Sequence, residues 1–170
     1  RRRHTRYISV TGVQTCALPI SIEEARVWLD AMSKKLERRF PDRRTREEFL
    51  VTVHYEAKRA GLDPQLVLGL IQVESAFRKY AVSSAGARGY MQVMPFWIKL
   101  SENAQDNLFN LRTNLRYGCW ILRRYLDMES GDYYRALGRY NGSLGQPEYP
   151  NAVDRKSTRL NSSHTDISRM

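Results

Sequence analysis

The sequence predicts a mainly α-helical domain. Between residues 21 and 153, apolar side chains recur at the three- and four-residue spacing of amphipathic helices. Residues that commonly start helices precede several of these stretches, and glycine or proline follows them. Alternating apolar and polar residues, the pattern of a half-buried β-strand, are scarce. We therefore expect any strands to be short and to lie at about residues 82–90.

The two ends of the chain are expected to lie outside this domain. Residues 154–170 can be encoded by a DNA sequence whose reverse complement, read in frame, encodes residues 4–20. A match over seventeen codons is not chance, and the DNA resembles a short-read sequencing adapter. We therefore expect residues 1–20 and 154–170 to be adapter-derived, disordered tails. They would flank a single domain at residues 21–153 that is truncated at its C-terminal end.

The first two helices are predicted from the spacing of apolar residues and from residues that typically start or end a helix. The first covers residues 22–40, where apolar residues repeat at helical spacing until Pro41. The second starts at a capping box, in which Thr45 and Glu48 would bind the unpaired amides of the first turn. The buried stripe of this helix consists of Leu50, Val53, Ala57 and Ala60. Gly61 is expected to end it.

The later helices are predicted in the same way. Asp63 is a cap and Pro64 suits the first helical position, so a third helix should run from there to about Phe77. Residues 111–126 and 133–140 form two more helices, the second of them capped by Asp132. Residues 149–153 open a further helix, which the C-terminal tail interrupts.

Charge and residue counts exclude several classes of function. The whole chain has a net charge of +10, but the tails hold eight of the 28 Lys+Arg and two of the 18 Asp+Glu, which leaves +4 for the domain. Such a domain suits an anionic polymer without requiring one, and we expect no nucleic-acid partner. Between residues 21 and 153, Cys119 is the only cysteine and His54 the only histidine, which excludes a disulfide and a Cys/His zinc site. We expect no metal, no cofactor and no membrane span.

Glu74 is the first candidate for chemistry. It follows Val67, Leu70 and Ile71 by seven, four and three residues, which places its carboxyl on their apolar face of the third helix. Burial there would raise the pKa of the carboxyl, so that Glu74 could hold a proton at neutral pH and donate it to a leaving oxygen. The alternative is a surface glutamate that leaves the last helical turn for solvent.

The segment that follows Glu74 has the composition of a tight turn beside a binding surface. Ser83, Ser84, Gly86 and Gly89 permit backbone conformations and close approaches that bulky residues forbid. Beyond them, the amide of Gln92 can bind sugar hydroxyls or an acetamido group, and the thioether of Met94 suits an apolar sugar face. The alternative is an ordinary glycine loop whose methionines pack in the core.

These residues resemble the catalytic domain of soluble-type lytic transglycosylases. The family pattern is Glu-Ser, a serine nine residues after the glutamate, and then Gly-Ala-x-Gly-x-Met-Gln-x-Met-Pro. Matching positions are Glu74, Ser75, Ser83, Gly86, Ala87, Gly89, Met91, Gln92, Met94 and Pro95. Two further motifs lie downstream in the family's order, at residues 114–118 and 139–142. The resemblance covers roughly residues 62–153.

The resemblance implies a lysozyme-like helical domain with a short loop or strand lobe beside an active-site groove, and cleavage of the β-1,4 bond between N-acetylmuramic acid (MurNAc) and N-acetylglucosamine (GlcNAc) in peptidoglycan. Glu74 would be the single general acid and then the base, and the product would be a 1,6-anhydro-MurNAc end. The implied substrate-binding residues are Ser75, Ser83, Gln92, Met94, Tyr140 and Asn141. Tyr140 would hydrogen-bond near Glu74. Trp97 is most readily explained by packing, although it lies close enough to the motif to be a groove wall.

Two other functions remain open. One is a hydrolase of the same fold that admits water, which would need a positioned base that the sequence does not display. The other is a cell-wall-binding or assembly module without catalysis. In each case we expect a monomer that contacts peptidoglycan glycan strands in the cell envelope or periplasm. A signal peptide cannot be observed because the N-terminal tail replaces the natural start of the chain.

Overall fold

The computed structural model describes residues 22–101 and 105–162, and this part of the chain is almost entirely helical. Its helices are α1 (Ile22–Leu36), α2 (Arg43–Arg59), α3 (Pro64–Ser75), α4 (Phe96–Lys99), α5 (Leu111–Met128), α6 (Tyr133–Asn141) and α7 (Glu148–Asn161). Extended pairing among these residues is limited to isolated antiparallel bridges from Arg88 to Val82 and to Val93. The prediction of a mainly α-helical domain is confirmed. None of the described helices is both long enough and apolar enough for a membrane span.

The corner between α1 and α2 differs from the prediction. α1 ends at Leu36, and the chain turns so that Phe40 stacks on Phe49 with ring centroids 4.7 Å apart. α2 begins two residues before Thr45, because the Asp42 carboxylate accepts hydrogen bonds from the Thr45 amide (2.8 Å) and hydroxyl (2.6 Å). The predicted capping box is therefore wrong. Asp42 has the same three-residue spacing to an amide in the first turn, and its charged carboxylate is the stronger acceptor.

α3 is the central helix of the domain. Asp63 caps it and Pro64 is its first residue, as the sequence predicts. Four of its side chains are fully buried, namely Val67, Leu68, Leu70 and Ile71. The helix ends at Ser75 because Ala76 adopts a left-handed conformation (φ +49°), which redirects the chain and carries Phe77 into the core.

The main partner of α3 is α7, and the two helices approach closely at Gly69. A β-carbon added to Gly69 would lie 2.8 Å from the backbone nitrogen of Ser157 and 3.0 Å from the carbonyl oxygen of Val153. Both distances are shorter than van der Waals contact, so only glycine permits this approach of the two backbones. The start of α7 is thereby placed next to the C-terminal end of α3.

α7 continues beyond the predicted end of the domain. Val153 and Leu160, seven residues apart on one helix face, are both buried, and the Lys35 side chain donates a hydrogen bond to the Leu160 carbonyl. The expectation that residues 154–170 are disordered is therefore wrong for residues 154–161, because their apolar residue falls on the face that meets the core. The adapter origin of these residues stays a prediction. Residues 1–21 and 163–170 lie outside the described residues.

One buried amide holds the loop that follows α3. Asn114 of α5 accepts from the Met91 amide and donates to the carbonyls of Arg88 and Leu108, each at 2.8 Å. Its side chain is fully buried, so these bonds form where water cannot replace them. Gly89 leaves the room that this amide needs, because a β-carbon there would lie 2.4 Å from the Asn114 side-chain nitrogen. The motif at residues 114–118 therefore holds the loop of residues 76–95 in place through Asn114.

Replacement of Leu160 by alanine tests whether α7 packs beyond residue 153. Because Leu160 is buried, Leu160→Ala is expected to lower the free energy of unfolding by about 2 kcal/mol, measured by urea denaturation of the full chain. The control is Leu100→Ala, at a leucine that is 71% exposed, which should cost less than about 0.5 kcal/mol. Equal effects of the two substitutions would contradict the burial of this segment in the core.

Replacement of Asn114 by alanine tests the fastening of the loop. Asn114→Ala leaves a buried amide and two carbonyls unpaired, which should cost about 3 kcal/mol of unfolding free energy. Asn107 provides a matched control, because its side chain also accepts from a backbone amide, that of Phe109, but in an exposed turn. Asn107→Ala should cost about 1 kcal/mol or less. A similar loss in both variants would show that burial of the Asn114 bonds adds nothing.

Candidate active site

Glu74 lies in the last turn of α3 with a half-buried carboxyl group. Burial raises the pKa of this carboxyl above its ordinary value, and a hydrogen bond from the Tyr149 hydroxyl to Oε1 opposes that shift. The carboxyl is therefore in an environment that favours the protonated form without excluding the ionised one. The alternative of a fully solvated surface glutamate does not describe this structure.

Tyr149 is the site residue that the sequence analysis did not assign. It lies in the first turn of α7 and reaches Glu74 across 75 residues of sequence because α7 packs on α3. Burial and the neighbouring Glu74 carboxylate raise the pKa of Tyr149, so its hydroxyl remains a donor throughout the ordinary pH range. The only sequence signal for Tyr149 is its place at the start of an amphipathic helix, which does not reveal its partner.

Tyr140 bonds to the loop and not to Glu74. Its hydroxyl, at the end of α6, donates to the Met91 carbonyl at 2.8 Å. Burial and then the charge of Glu74 raise the pKa of Tyr140 well above its usual range. Tyr140 therefore holds the loop at Met91, and the hydrogen bond to Glu74 comes from Tyr149.

Ser75 is not available to a sugar. It is 1% exposed, and its hydroxyl lies 2.8 Å from the Tyr90 carbonyl and 3.2 Å from the Ile71 carbonyl. A buried hydroxyl in these contacts fixes the loop to the end of α3. The expectation that Ser75 contacts substrate is corrected accordingly, because the residue after the acid points inward when the acid itself faces outward.

The side-chain amide of Gln92 leaves its oxygen, and not its nitrogen, available to a ligand. Nε2 donates to the carbonyls of Ala81 (3.1 Å) and Gly89 (2.9 Å), and two carbonyl partners fix the orientation of the amide. The Gln92 backbone has φ +49°, a left-handed conformation that turns the half-buried side chain back across the loop. Oε1 has no donor among the described residues, so it can accept a hydrogen bond from a ligand.

The remaining candidates lie on the loop and at the end of α6. The Ser83 hydroxyl accepts from the Ala87 amide at 3.1 Å, which leaves its own proton without an acceptor in the described part of the chain. Met94 is half-buried at the exit of the loop. Asn141 is exposed and donates to the Ser143 hydroxyl at 3.1 Å, so its contact is with the turn after α6.

Within residues 22–101 and 105–162, the side chain bonded to the Glu74 carboxyl is that of Tyr149 and not a second acid. Other candidate acids are engaged elsewhere: Asp63 and Asp132 cap helices, and Asp106 binds Arg116 and Tyr117. Within the same residues, no group of three His, Cys, Asp or Glu could hold a metal ion. Glu102, another acid considered in the sequence, lies outside the described residues.

Comparisons with known proteins place this chain in a family. A sequence model of the family described as "Transglycosylase SLT domain" matches residues 52–161. The membrane-bound lytic murein transglycosylase C of Glaesserella parasuis is 53% identical over 113 residues, which cover 57% of this chain and 31% of that protein. The transglycosylase of Enterobacteria phage PRD1 is 34% identical over 98 residues, or 58% of this chain and 36% of the phage protein.

A solved structure shares the fold. The chain resembles the X-ray structure of an inactive mutant of the lytic transglycosylase Slt from Pseudomonas aeruginosa, with a TM-score of 0.60 and 19% identity over 82% of this chain and 30% of that one. This likeness confirms the lysozyme-like helical fold. The chain spans about a third or less of the length of the curated relatives it matches. By its match over residues 52–161, the chain belongs to the transglycosylase SLT domain family.

Proposed function

We propose that this chain is the catalytic domain of a peptidoglycan lytic transglycosylase, with Glu74 as its single acid and base. The observation that carries the proposal is a half-buried carboxyl whose pKa is raised by burial and which is held by the Tyr149 hydroxyl. The family match and the names of the relatives support the same reaction class. Peptidoglycan glycan strands are then the substrate, and the cell envelope or periplasm is the location.

The first chemical step uses the proton of Glu74. Because Tyr149 donates to Oε1, the proton of the neutral acid is held on Oε2 and is free to face a ligand. Glu74 transfers this proton to the glycosidic oxygen, the bond from MurNAc C1 to that oxygen breaks, and GlcNAc leaves as an alcohol. The carbonyl oxygen of the substrate's own N-acetyl group stabilises the positive charge that develops at C1.

The second step returns the proton. The Glu74 carboxylate takes it from the C6 hydroxyl of MurNAc, and the C6 oxygen forms a bond to C1, which gives the 1,6-anhydro ring. No water is consumed, and the enzyme ends in its starting protonation state. Tyr149 stabilises the carboxylate that exists between the two steps, while burial prevents that carboxylate from becoming too weak a base.

The loop residues have roles that suit this substrate. Oε1 of Gln92 accepts a hydrogen bond from the acetamido N–H, because the amide nitrogen is already bound to the loop. Ser83 donates its hydroxyl proton to a sugar oxygen, and Met94 packs against an apolar ring face. Asn141 shapes the groove from the end of α6, and Tyr140 keeps the Met91 carbonyl in place beside the acid.

A water-using hydrolase is the second candidate, and one observation favours the transglycosylase over it. Hydrolytic glycosidases of the usual kind need two carboxyl groups within about 5–10 Å of each other. Among the described residues, the side chain that bonds to the Glu74 carboxyl is that of Tyr149, and no second carboxyl group bonds to it. A non-catalytic wall-binding module would also have no need of an acid with a raised pKa. The domain is expected to act as a monomer.

Replacement of Glu74 by glutamine tests the proposed reaction. Glu74→Gln removes the transferable proton and should lower the release of 1,6-anhydromuropeptides from purified sacculi by about a thousandfold. The products are separated by chromatography and identified by mass. The matched control is Glu48→Gln, at an exposed glutamate of α2, which should retain the wild-type rate. Reducing MurNAc ends in place of anhydro ends would establish the hydrolase, and an unchanged rate in Glu74→Gln would exclude a role for this acid.

The stability of the Glu74→Gln variant separates loss of chemistry from loss of folding. Because the pKa of Glu74 is raised in the folded protein, the folded state binds this proton more tightly than the unfolded chain does. Stability therefore falls as the pH rises through the folded pKa, and at pH 7 an ionised Glu74 is destabilising. Glu74→Gln should be at least as stable as the wild type at pH 7 in urea denaturation.

Replacement of Tyr149 by phenylalanine tests the hydrogen bond to the acid. Tyr149→Phe removes a bond that lowers the pKa of Glu74, so that pKa should rise further. Since the protonated acid starts the reaction, the alkaline limb of the pH profile of kcat/KM should move to higher pH. The control is Tyr134→Phe, at an exposed tyrosine of α6, which should leave the profile in place. A limb that stays fixed or moves to lower pH in Tyr149→Phe would contradict this pairing.

A further inference from the structure

A cluster of aromatic rings extends outward from the exit of the loop. Trp97 of α4 is its centre, with ring centroids 5.1 Å from Phe96, 5.6 Å from Trp120 and 6.3 Å from Tyr125. The indole of Trp120 stands edge-on to that of Trp97, at an interplanar angle of 85°. Phe96, Trp97 and Trp120 are called the outer aromatic surface below.

The outer rings of this surface are more exposed than core packing requires. Phe96 is 48% exposed and Trp120 is 46% exposed, while Trp97, which contacts both, is half-buried. Large aromatic side chains that stay exposed around a shared ring are typical of a binding surface. Their rigid rings lose little conformational entropy when a ligand stacks on them.

The outer aromatic surface is continuous with the candidate active site. The Trp97 amide donates to the Met94 carbonyl at 3.1 Å, so α4 begins directly at the residue that closes the sugar-binding loop. On the other side, Trp97 contacts the Tyr125 ring, and Tyr125 packs against the same hydrophobic core as Tyr140 and Tyr149, the tyrosine that bonds to Glu74. The aromatic rings therefore begin within one turn of Met94, where the loop ends.

We propose that the outer aromatic surface binds the continuing glycan strand, at sugar units beyond the bond that Glu74 cleaves. This inference rests on the proposed function, because it takes the substrate of that site as its ligand. The apolar faces of hexose rings expose C–H groups that pack on flat aromatic rings, whereas their hydroxyls stay in water. Two exposed rings that both contact Trp97 suit a repeating polymer better than a small ligand.

The rings are placed to select for substrate length. Residues at the scissile bond act on every substrate, but the outer aromatic surface acts only on one long enough to reach it. Contacts to remote units add binding energy without touching the reacting atoms, so they should appear in kcat/KM for long strands alone. The Arg124 guanidinium lies 5.8 Å from the Trp120 ring centroid, and the Trp120 side chain nevertheless stays 46% exposed.

The test compares two substrates on the full chain. Trp120→Ala and Phe96→Ala should each lower kcat/KM for long glycan strands by about three- to tenfold, which corresponds to one lost ring contact. Cleavage of a tetrasaccharide of alternating GlcNAc and MurNAc should stay within about twofold of the wild type. Trp120→Phe keeps a ring at this place and should recover most of the rate on long strands.

Tyr55 provides the matched control. It is 50% exposed on α2 and lies 5.3 Å from the Arg112 guanidinium, so it has the exposure and the cationic neighbour of Trp120 on another part of the chain. Tyr55→Ala should change neither rate. Equal losses on both substrates in Trp120→Ala, or no loss on long strands, would overturn the proposal.

A binding measurement keeps the two proposals separate. The Glu74→Gln protein is mixed with purified sacculi and sedimented, with and without Trp120→Ala in the same chain. Retention should fall about three- to tenfold when the ring is removed, whether or not the wild type forms anhydro products. Absence of anhydro products from the wild type would defeat the proposed reaction. Unchanged retention in the double variant would defeat the outer aromatic surface as a glycan site.

Discussion

The contact between the end of α3 and the start of α7 is the constraint on which the site depends. A carboxyl group in an apolar pocket loses hydration that it needs when ionised, and it is tolerated only if a donor replaces part of that hydration. Tyr149 is that donor, and it can reach Glu74 only because α7 lies against α3. Gly69 permits the close approach of the two backbones, since any side chain there would collide with α7. A glycine far from the chemistry therefore sets the position of the acid's partner.

The family motifs contain residues whose polar atoms stay available and residues whose polar atoms hold the loop in place. Glu74, Ser83 and Gln92 each keep a proton or a lone pair available. Ser75 and Asn114 instead form hydrogen bonds with the loop backbone. Gly118 of the second motif has the same supporting purpose, because a β-carbon there would lie 2.4 Å from the Met91 sulfur. Residues of the same sequence motif therefore either keep polar atoms available or support the loop, and the direction of the side chain determines which.

Periodicity and caps predict most of the helices because these signals are local. Asp63, Pro64 and Asp132 act within one turn of their own position, and the structure confirms all three. The start of α2 is predicted wrongly because the prediction takes Thr45 as the cap, although Asp42 three residues earlier has the stronger acceptor. The partner of Glu74 could not be predicted at all. Tyr149 meets it only after α3 and α7 pack, and that pairing is a property of the whole fold rather than of either segment.

The C-terminal half of α7 packs in the core although few of its residues are apolar. The coding match predicts that residues 154–161 do not come from the natural protein, yet they continue the helix in register. Leu160 follows Val153 by seven residues and so meets the same face of the core, while the charged residues between them point outward. A binary pattern of one buried leucine among polar residues satisfies the surface of α3. The pairing of Tyr149 with Glu74 is more demanding, because it requires a hydroxyl group at one position of the helix. Tyr149 lies in the first turn of α7, within the segment predicted to be natural. The rest of the helix only has to hold that turn in place.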